Sequence, residues 1–207
     1  MAHQLQQTPM RRKTSTGMWQ SAPWPTGTIE SQAAGAVTPY KFTLDASTVL
    51  RKPELWVATS VLRSLTREAD RCFPLETGGV LAGYRAGRTQ VVTHVVGPGP
   101  KSQHTRVSFE GDHDWQCEQL DQLYKASDQL TVYLGDWHTH PLSTPHTSAM
   151  DRRTLARIAN HKEANCPEPL MIIGAGTPTL WAWQAYSWRR ASALKLQRLR
   201  IKRYPGS

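Results

Sequence analysis

Three stretches of the chain repeat apolar residues at helical spacing and predict amphipathic helices. The first is VATSVLRSLTREADRCF (57–73), in which Val57, Val61, Leu65 and Ala69 fall on one face. The second is HDWQCEQLDQLYKAS (113–127), and the third is SAMDRRTLARIANHK (148–162). Between them lie shorter segments with a different period.

These shorter segments alternate with period two or form continuous apolar runs, which predicts strands. They are YKFTLDASTVL (40–50), VLAGY (80–84), TQVVTHVVG (89–97), TVYLGDWHTH (131–140), LMIIGAG (170–176), PTLWAWQAYSWR (178–189) and SALKLQRLRIKRY (192–204). GPGPKSQHTR (97–106) reads as a loop. The resulting order, β, α, β, β, α, β, α, β, β, β, predicts a mixed α/β domain whose sheet is flanked by helices.

Composition divides the 207 residues into three parts. The first 40 residues are rich in Gln, Thr, Ser, Pro and Gly and lack periodicity, which predicts a flexible N-terminal extension. Residues 41–188 carry the helical and strand patterns and form the predicted domain. Residues 189–207 form a basic C-terminal strand or tail.

The net charge of +9 belongs to the two ends of the chain. Residues 1–39 hold Arg11, Arg12 and Lys13 against Glu30, and residues 189–207 hold seven Lys or Arg and no acid. The body is therefore neutral, and its charge gives no reason to expect nucleic acid as substrate. The basic C-terminal segment could meet nucleic acid, an acidic protein or anionic lipid, while a solvated last strand explains the same charge.

The three cysteines, Cys72, Cys117 and Cys166, show neither an even count nor a C-x-x-C spacing. This excludes a disulfide framework and a cysteine-based zinc site as the leading interpretation, and it favours a reducing, cytoplasmic compartment. No apolar run approaches the roughly 18 residues that a membrane helix needs, so we expect no membrane partner.

The segment GDWHTHPLSTPHTSAMD (135–151) carries the most concentrated candidate chemistry. His138 and His140 project to the same side of an extended strand, because side chains alternate faces with period two. Asp151 lies eleven residues beyond the second His at the start of a predicted helix, from which it can return as a third ligand. Two His and one Asp are preferred zinc ligands, and three protein ligands leave a fourth place for water, as in catalytic sites.

Hydrolysis also requires a general base and a donor for the developing oxyanion. Ser148, three residues before Asp151, is placed to donate that hydrogen bond. Glu76, which precedes Gly78 and Gly79, is the candidate base. Ordinary explanations compete: Ser148 and Asp151 suit a helix N-cap and capping box, and Glu76 alone suits a solvated loop. His94, His104, His113 and His161 are interpreted as surface or hydrogen-bonded histidines, and His146 as a loop residue near the substrate.

Taken together, Glu76, His138-x-His140 and Ser148-x-x-Asp151 resemble the signature of the JAB/MPN (JAMM) zinc metallopeptidase family, in which a Glu precedes H-x-H-x(7)-S-x-x-D. Every position matches, and GDWHTHP looks most like the bacterial branch. The resemblance covers residues of about 42–188. It implies a single JAB/MPN domain with cytidine-deaminase-like layering.

The resemblance also implies roles for these residues. One catalytic zinc ion would be bound by His138, His140 and Asp151, Glu76 would activate water, and Ser148 would steady the tetrahedral intermediate. The implied activity is cleavage after the C-terminal tail of a ubiquitin-like protein, which frees a conjugated target; bacterial members occur in antiphage systems, where they release a conjugated nucleotide synthase. The tail would lie along a strand edge near Gly78, Gly79 and the loop 142–147.

Two alternatives stay within the same fold: a hydrolase that releases a small adduct from a sulfur-carrier protein, and a non-catalytic scaffold. The scaffold is disfavoured because no position of the signature is missing. A zinc nucleobase deaminase is excluded because the chain has no C-x-x-C.

Overall fold

The computed structural model describes residues 54–189 and 195–205. In this part of the chain ten strands and three α-helices are formed, with one 3-10 turn at Lys162–Ala164. The strands are β1 (Glu54–Ala58), β2 (Gly78–Ala86), β3 (Thr89–Val96), β4 (Gln103–His104), β5 (Phe109–Glu110), β6 (Val132–Pro141), β7 (Leu170–Thr177), β8 (Leu180–Trp188), β9 (Leu196–Leu199) and β10 (Ile201–Tyr204). The helices are α1 (Thr59–Cys72), α2 (His113–Ala126) and α3 (Ala149–Asn160).

Eight of these strands form one mixed sheet, in the order β10-β1-β3-β2-β6-β7-β8-β9. Its centre is β6, which runs antiparallel to β2 and parallel to β7. Gly78 pairs with His138, and Ile173 pairs with His138 from the other side. The strand that carries both candidate histidines is therefore held by neighbours on both edges. The short β4 and β5 form a separate hairpin.

The C-terminal strands close the sheet. Only Arg200 separates β9 from β10, yet β9 pairs with β8 and β10 pairs with β1, at opposite ends of the strand order. The sheet must therefore curl until both of its ends reach the same short segment. Lys202 links β10 to β1, because its ammonium group forms an ion pair of 2.6 Å with Glu54 and lies over the Trp56 ring.

Apolar side chains are buried on both faces of the sheet. On one face α1 packs Val61 and Leu65 into the main core, whose other members include Leu55, Val57, Leu81, Val92, Leu134, Trp137, Leu170, Ile172 and Leu199. On the other face α3 contributes Leu155 to a smaller cluster with Met171, Ile173 and Tyr186. The fold confirms the predicted mixed sheet flanked by helices.

Several predicted elements differ from those observed. Val57 belongs to β1 rather than to α1, because ELWVA alternates buried and half-buried residues before the helix begins at Thr59. The predicted loop 97–106 contains β4. The single strand predicted over 192–204 is two strands that pair at opposite ends of the sheet. The strand predicted over 40–50 and the N-terminal extension lie outside the described residues. No helix among those described is long and apolar enough to cross a membrane.

Candidate metal centre and active site

The buried side chain of Trp137 determines the direction in which the two histidines of β6 point. Trp137 is 1% exposed, lies in the main core with α1, and donates its indole N–H to the Val96 carbonyl over 3.2 Å. Because side chains alternate across a strand, burying Trp137 on the α1 face sends His138 and His140 to the opposite face, where α3 lies. The edge pairing and the buried tryptophan together determine where the imidazoles point.

The two imidazoles and the Asp151 carboxylate converge on one point. The Nε2 atoms of His138 and His140 are 3.0 Å apart. Asp151 Oδ1 lies 3.4 Å from His138 Nε2, and Asp151 Oδ2 lies 3.8 Å from His140 Nε2. One ligand atom from each residue falls within a span of 4.8 Å. These three residues could hold a metal ion.

Asp151 reaches this point because α3 begins with a capping box. The Ser148 hydroxyl accepts a hydrogen bond from the Asp151 N–H over 3.1 Å, and the Ser148 N–H donates to Asp151 Oδ2 over 2.6 Å. Ser148 and Asp151 therefore do form a helix cap, as the competing interpretation of these residues predicts. It does not exclude a metal site, because the reciprocal bonds hold the carboxylate against the histidines. Asp151 is 8% exposed, whereas Ser148 is exposed.

Local electrostatics favour a neutral His140 and an ionised Asp151, the forms in which these two residues can bind a metal ion. Burial and the neighbouring His138 lower the pKa of His140, which favours its neutral form, and His140 Nδ1 lies 3.4 Å from the Thr144 carbonyl. A proton on Nδ1 directed at that carbonyl leaves the Nε2 lone pair free. Burial alone would raise the pKa of Asp151, but the charge and hydrogen bond of His138 and the bonds from Ser148 outweigh it and hold that pKa well below its usual range.

Glu76 stands just before β2, beside the pair Gly78 and His138. Its side chain is half-buried, and burial raises its pKa. The charge of His138 lowers that pKa and the charge of Asp151 raises it, so Glu76 lies within electrostatic reach of both residues. A carboxyl whose pKa is shifted towards neutrality is a stronger base than an ordinary solvated carboxylate. The register agrees with this placement, because Gly78 lies opposite His138 and Thr77 bonds to Thr139, so that Glu76 is the next residue towards His140.

The remaining sequence-based expectations have different outcomes. Gly78 and Gly79 are buried, and backbone atoms of Trp137 and Val96 occupy the places where their side chains would stand, so they do not line an open channel. These glycines instead permit the close packing of β2. His146 is exposed in the loop before α3. His104, interpreted as hydrogen-bonded, contacts the Glu76 carbonyl through Nδ1 over 2.9 Å.

Residues near the site that sequence reasoning missed are Thr77 and Thr139, both fully buried. Thr139 donates its backbone N–H to the Thr77 carbonyl over 2.8 Å and accepts the Thr77 N–H on its hydroxyl over 3.0 Å. The one feature of the sequence that points to Thr139 is its position between two candidate ligands on a buried strand. Its packing partner could not be identified without the register of β2 and β6.

The H-x-H pair on a central strand, the aspartate from the next helix and the glutamate before the adjacent strand match the arrangement that the JAB/MPN signature implies. Residues 58–190, well over half of the chain, match the family described as prokaryotic homologs of the JAB domain. The chain belongs to this family, which confirms the resemblance seen in the sequence.

Two kinds of named relatives are similar to the chain. The "Probable metalloprotease y4qB" of Sinorhizobium fredii is 37% identical over 142 residues, which cover 66% of this chain and 87% of the relative. A "CD-NTase/cGAS isopeptidase" of Escherichia coli is 32% identical over 108 residues, covering 51% of this chain and 65% of the relative. One of the same name from Vibrio cholerae is 37% identical over 101 residues, covering 48% and 62%.

The fold also has a solved counterpart. The solution structure of protein DSY2949 from Desulfitobacterium hafniense superposes with a TM-score of 0.54 at 20% identity, covering 73% of this chain and 93% of that protein. At this identity the likeness supports the fold alone.

Proposed function

We propose that this protein is a zinc isopeptidase that cleaves after the C-terminus of a ubiquitin-like modifier and so releases a conjugated protein. The observation that carries the proposal is the convergence of His138, His140 and Asp151 beside Glu76. The relatives named CD-NTase/cGAS isopeptidase suggest a nucleotide synthase as the conjugated target, in an antiphage system. The three free cysteines suit a cytoplasmic location.

Zinc fits the separations between the ligand atoms. Tetrahedral zinc with ligands at about 2.0–2.1 Å requires neighbouring ligand atoms to lie about 3.3 Å apart. The two Nε2 atoms lie 3.0 Å apart and His138 Nε2 lies 3.4 Å from Asp151 Oδ1, both close to that value, while His140 Nε2 lies 3.8 Å from the other carboxylate oxygen, Oδ2. A zinc ion held by these residues would supply Lewis-acid activation of water and of the scissile carbonyl.

The protein groups divide the remaining work. Glu76, with its raised pKa, takes the proton from the attacking water and returns it to the leaving amine. Ser148, exposed at the start of α3, donates a hydrogen bond to the oxygen on which negative charge develops. The bond between the modifier's terminal carbonyl and the target's amine breaks, and a carboxylate and a free amine result.

The surface around the site favours a protein substrate over a small adduct. Exposed large apolar side chains lie close in sequence to site residues: Leu142 follows His140 by two positions, and Met150 precedes Asp151. Val107, 85% exposed, bonds through its N–H to Thr105, whose carbonyl accepts the Glu76 N–H. Exposed apolar side chains beside a site can supply the contact surface for a protein partner, and we infer that these three residues contact the modifier. Release of a small adduct needs no such contact surface.

Two variants test the assignment of roles. Glu76→Ala should fold and keep zinc but lose about 10²–10⁴-fold in turnover, because only the general base is removed. His138→Ala should lose both zinc and turnover. His94→Ala, which changes an exposed histidine on β3, is the matched control. Elemental analysis measures zinc, and cleavage of conjugates and linear fusions of bacterial ubiquitin-like proteins measures activity.

Full cleavage after chelation and removal of zinc would refute the proposal. Turnover of Glu76→Ala at the rate of the control would refute the role of Glu76 alone. Hydrolysis of small adducts from a carrier protein, without cleavage of conjugates, would favour the adduct hydrolase.

A further inference from the structure

Thr139 lies between the two candidate histidine ligands but on the other face of β6. It is fully buried, as is its partner Thr77. Its neighbours along the strand, His138 and His140, face α3, whereas the Thr139 hydroxyl meets the chain just before β2 begins. Thr139 can therefore influence the site without contacting a metal ion.

The hydrogen bonds between Thr77 and Thr139 depart from a regular ladder. In a bonded antiparallel pair, two residues exchange backbone N–H to carbonyl bonds in both directions. The Thr139 N–H does donate to the Thr77 carbonyl over 2.8 Å, but the Thr77 N–H donates to the Thr139 hydroxyl over 3.0 Å. A side chain thus replaces a backbone acceptor at the point where the chain joins the sheet.

The Thr77 N–H belongs to the peptide unit that follows Glu76. The carbonyl end of that same unit lies 2.9 Å from Nδ1 of His104, and Nε2 of the same ring is hydrogen-bonded to the Ser102 hydroxyl. A peptide unit is planar, so holding it at both ends prevents its rotation. The orientation of this plane fixes the backbone angle on the C-terminal side of the Glu76 Cα, and hence the direction of its side chain.

Further hydrogen bonds hold Thr77 and the N-terminal side of Glu76 in place. The Thr77 hydroxyl donates to Glu68 of α1 over 3.2 Å, and Arg71 donates to the same carboxylate over 2.6 Å. The Glu76 N–H donates to the Thr105 carbonyl over 2.7 Å. The backbone of Glu76 is thus fixed on both sides by groups from β6, the β4–β5 hairpin and α1.

We propose that Thr139 is a positioning residue, whose hydroxyl, together with His104, clamps the peptide unit after Glu76 and so aims the Glu76 carboxylate at the metal centre. The catalytic consequence rests on the proposed function. The structural consequence does not, because the position of Glu76 can be observed directly.

Two substitutions at position 139 separate the hydroxyl from the shape of the side chain. Thr139→Val keeps the shape and removes the acceptor, whereas Thr139→Ser keeps the acceptor. In crystal structures of the zinc-loaded protein, the Glu76 carboxylate should be displaced in Thr139→Val and unmoved in Thr139→Ser, with His138, His140 and Asp151 in place in both. Thr131→Val, at a buried threonine just before β6, is the control.

The kinetics should show the same division. Misplacement of a catalytic group by about 1 Å can cost about 10²-fold, so we expect kcat of Thr139→Val to fall about 10–100-fold with KM and zinc content unchanged. In the Glu76→Gln background the same substitution should cost nothing further, because it acts only through that carboxylate.

An undisplaced Glu76 in Thr139→Val, or loss of zinc in parallel with kcat, would overturn the inference. If Thr139→Val does not fold, as a buried unsatisfied N–H costing about 1–3 kcal/mol could cause, His104→Phe carries the same test. This substitution removes the hydrogen bond between the imidazole and the Glu76 carbonyl, at the other end of the same peptide unit. His104 lies in a partly exposed hairpin, and a phenylalanine there keeps the ring contact with Phe109. An unmoved Glu76 there also overturns the inference. A wild-type protein that cleaves no conjugate would instead count against the proposed function.

Discussion

Replacing Ser148 should change stability and turnover by unequal amounts, because its hydroxyl caps α3 and, in the proposed mechanism, also donates to the oxyanion. Its oxygen accepts the Asp151 N–H at the N-cap of α3. Its hydrogen can turn to the Asp151 carboxylate or to an oxygen of the substrate, and the residue is exposed to solvent. Helix capping uses the first property, and the proposed oxyanion contact uses the second.

The expected magnitudes differ enough to be separated. Loss of a serine N-cap to alanine costs about 1 kcal/mol, which lowers Tm by about 2–4 °C in a domain of this size. Loss of one oxyanion donor costs about 10²–10³-fold in kcat. Glycine at an N-cap costs only a few tenths of a kcal/mol relative to serine. Ser148→Gly therefore nearly preserves the cap while removing the hydroxyl.

The assay compares Ser148→Ala, Ser148→Gly and Ser148→Thr by thermal unfolding and by steady-state cleavage of a modifier conjugate. We expect Ser148→Ala and Ser148→Gly to lose the same factor in kcat despite their different Tm values. Ser148→Thr should recover both properties. Turnover that follows Tm, with Ser148→Gly close to wild type, would refute the donor role and leave Ser148 as a helix cap.

Two further predictions concern stability. Burial raises the pKa of Glu68, but hydrogen bonds from Arg71, Cys72 and Thr77 outweigh it and leave the pKa below its ordinary value of 4.5. The stability contributed by Glu68 is therefore present above pH 4.5 and lost as pH falls through the lowered pKa. Urea unfolding should show Glu68→Gln less stable than wild type at pH 7, with the difference shrinking in acid; a constant difference would contradict this. Leu199→Ala should cost about 2–5 kcal/mol in the same assay, because Leu199 is buried in the main core, whereas Leu180→Ala, at a side chain 75% exposed, should cost almost nothing. Equal losses would show that residues 196–199 do not pack as described.

The sequence predicts local features of this protein well where one periodic pattern dominates. The helical spacing of Val61, Leu65 and Ala69 predicts α1, and these three are its buried residues. Strand β1 was missed because Val57 also fits the helical spacing, and four or five residues of alternation are too short to outweigh a longer helical pattern. The sequence does not predict that the strand over 192–204 divides at Arg200 into β9 and β10. Their pairing with different partners depends on the curl of the whole sheet.

The candidate site divides in the same way. His138, His140 and Asp151 could be grouped from residue type and spacing, since a strand and the following helix bring them together. The relation of Glu76 to them came from resemblance to a family, because some sixty residues separate it from β6. The clamp formed by Thr139 and His104 depends on the register of two strands and on a hairpin that the sequence did not reveal.

The segment 196–204 covers the outer backbone edges of two strands, β1 and β8, at the same time. Lys202 bonds to Glu54 across 148 positions of sequence, and β9 covers the free side of β8. Any state in which this segment detaches exposes the unpaired backbone of both β1 and β8, and such edges are templates for pairing with another chain. Aggregation should therefore begin from this partly opened state, and its rate should follow the local opening of one short segment rather than the global unfolding of the domain.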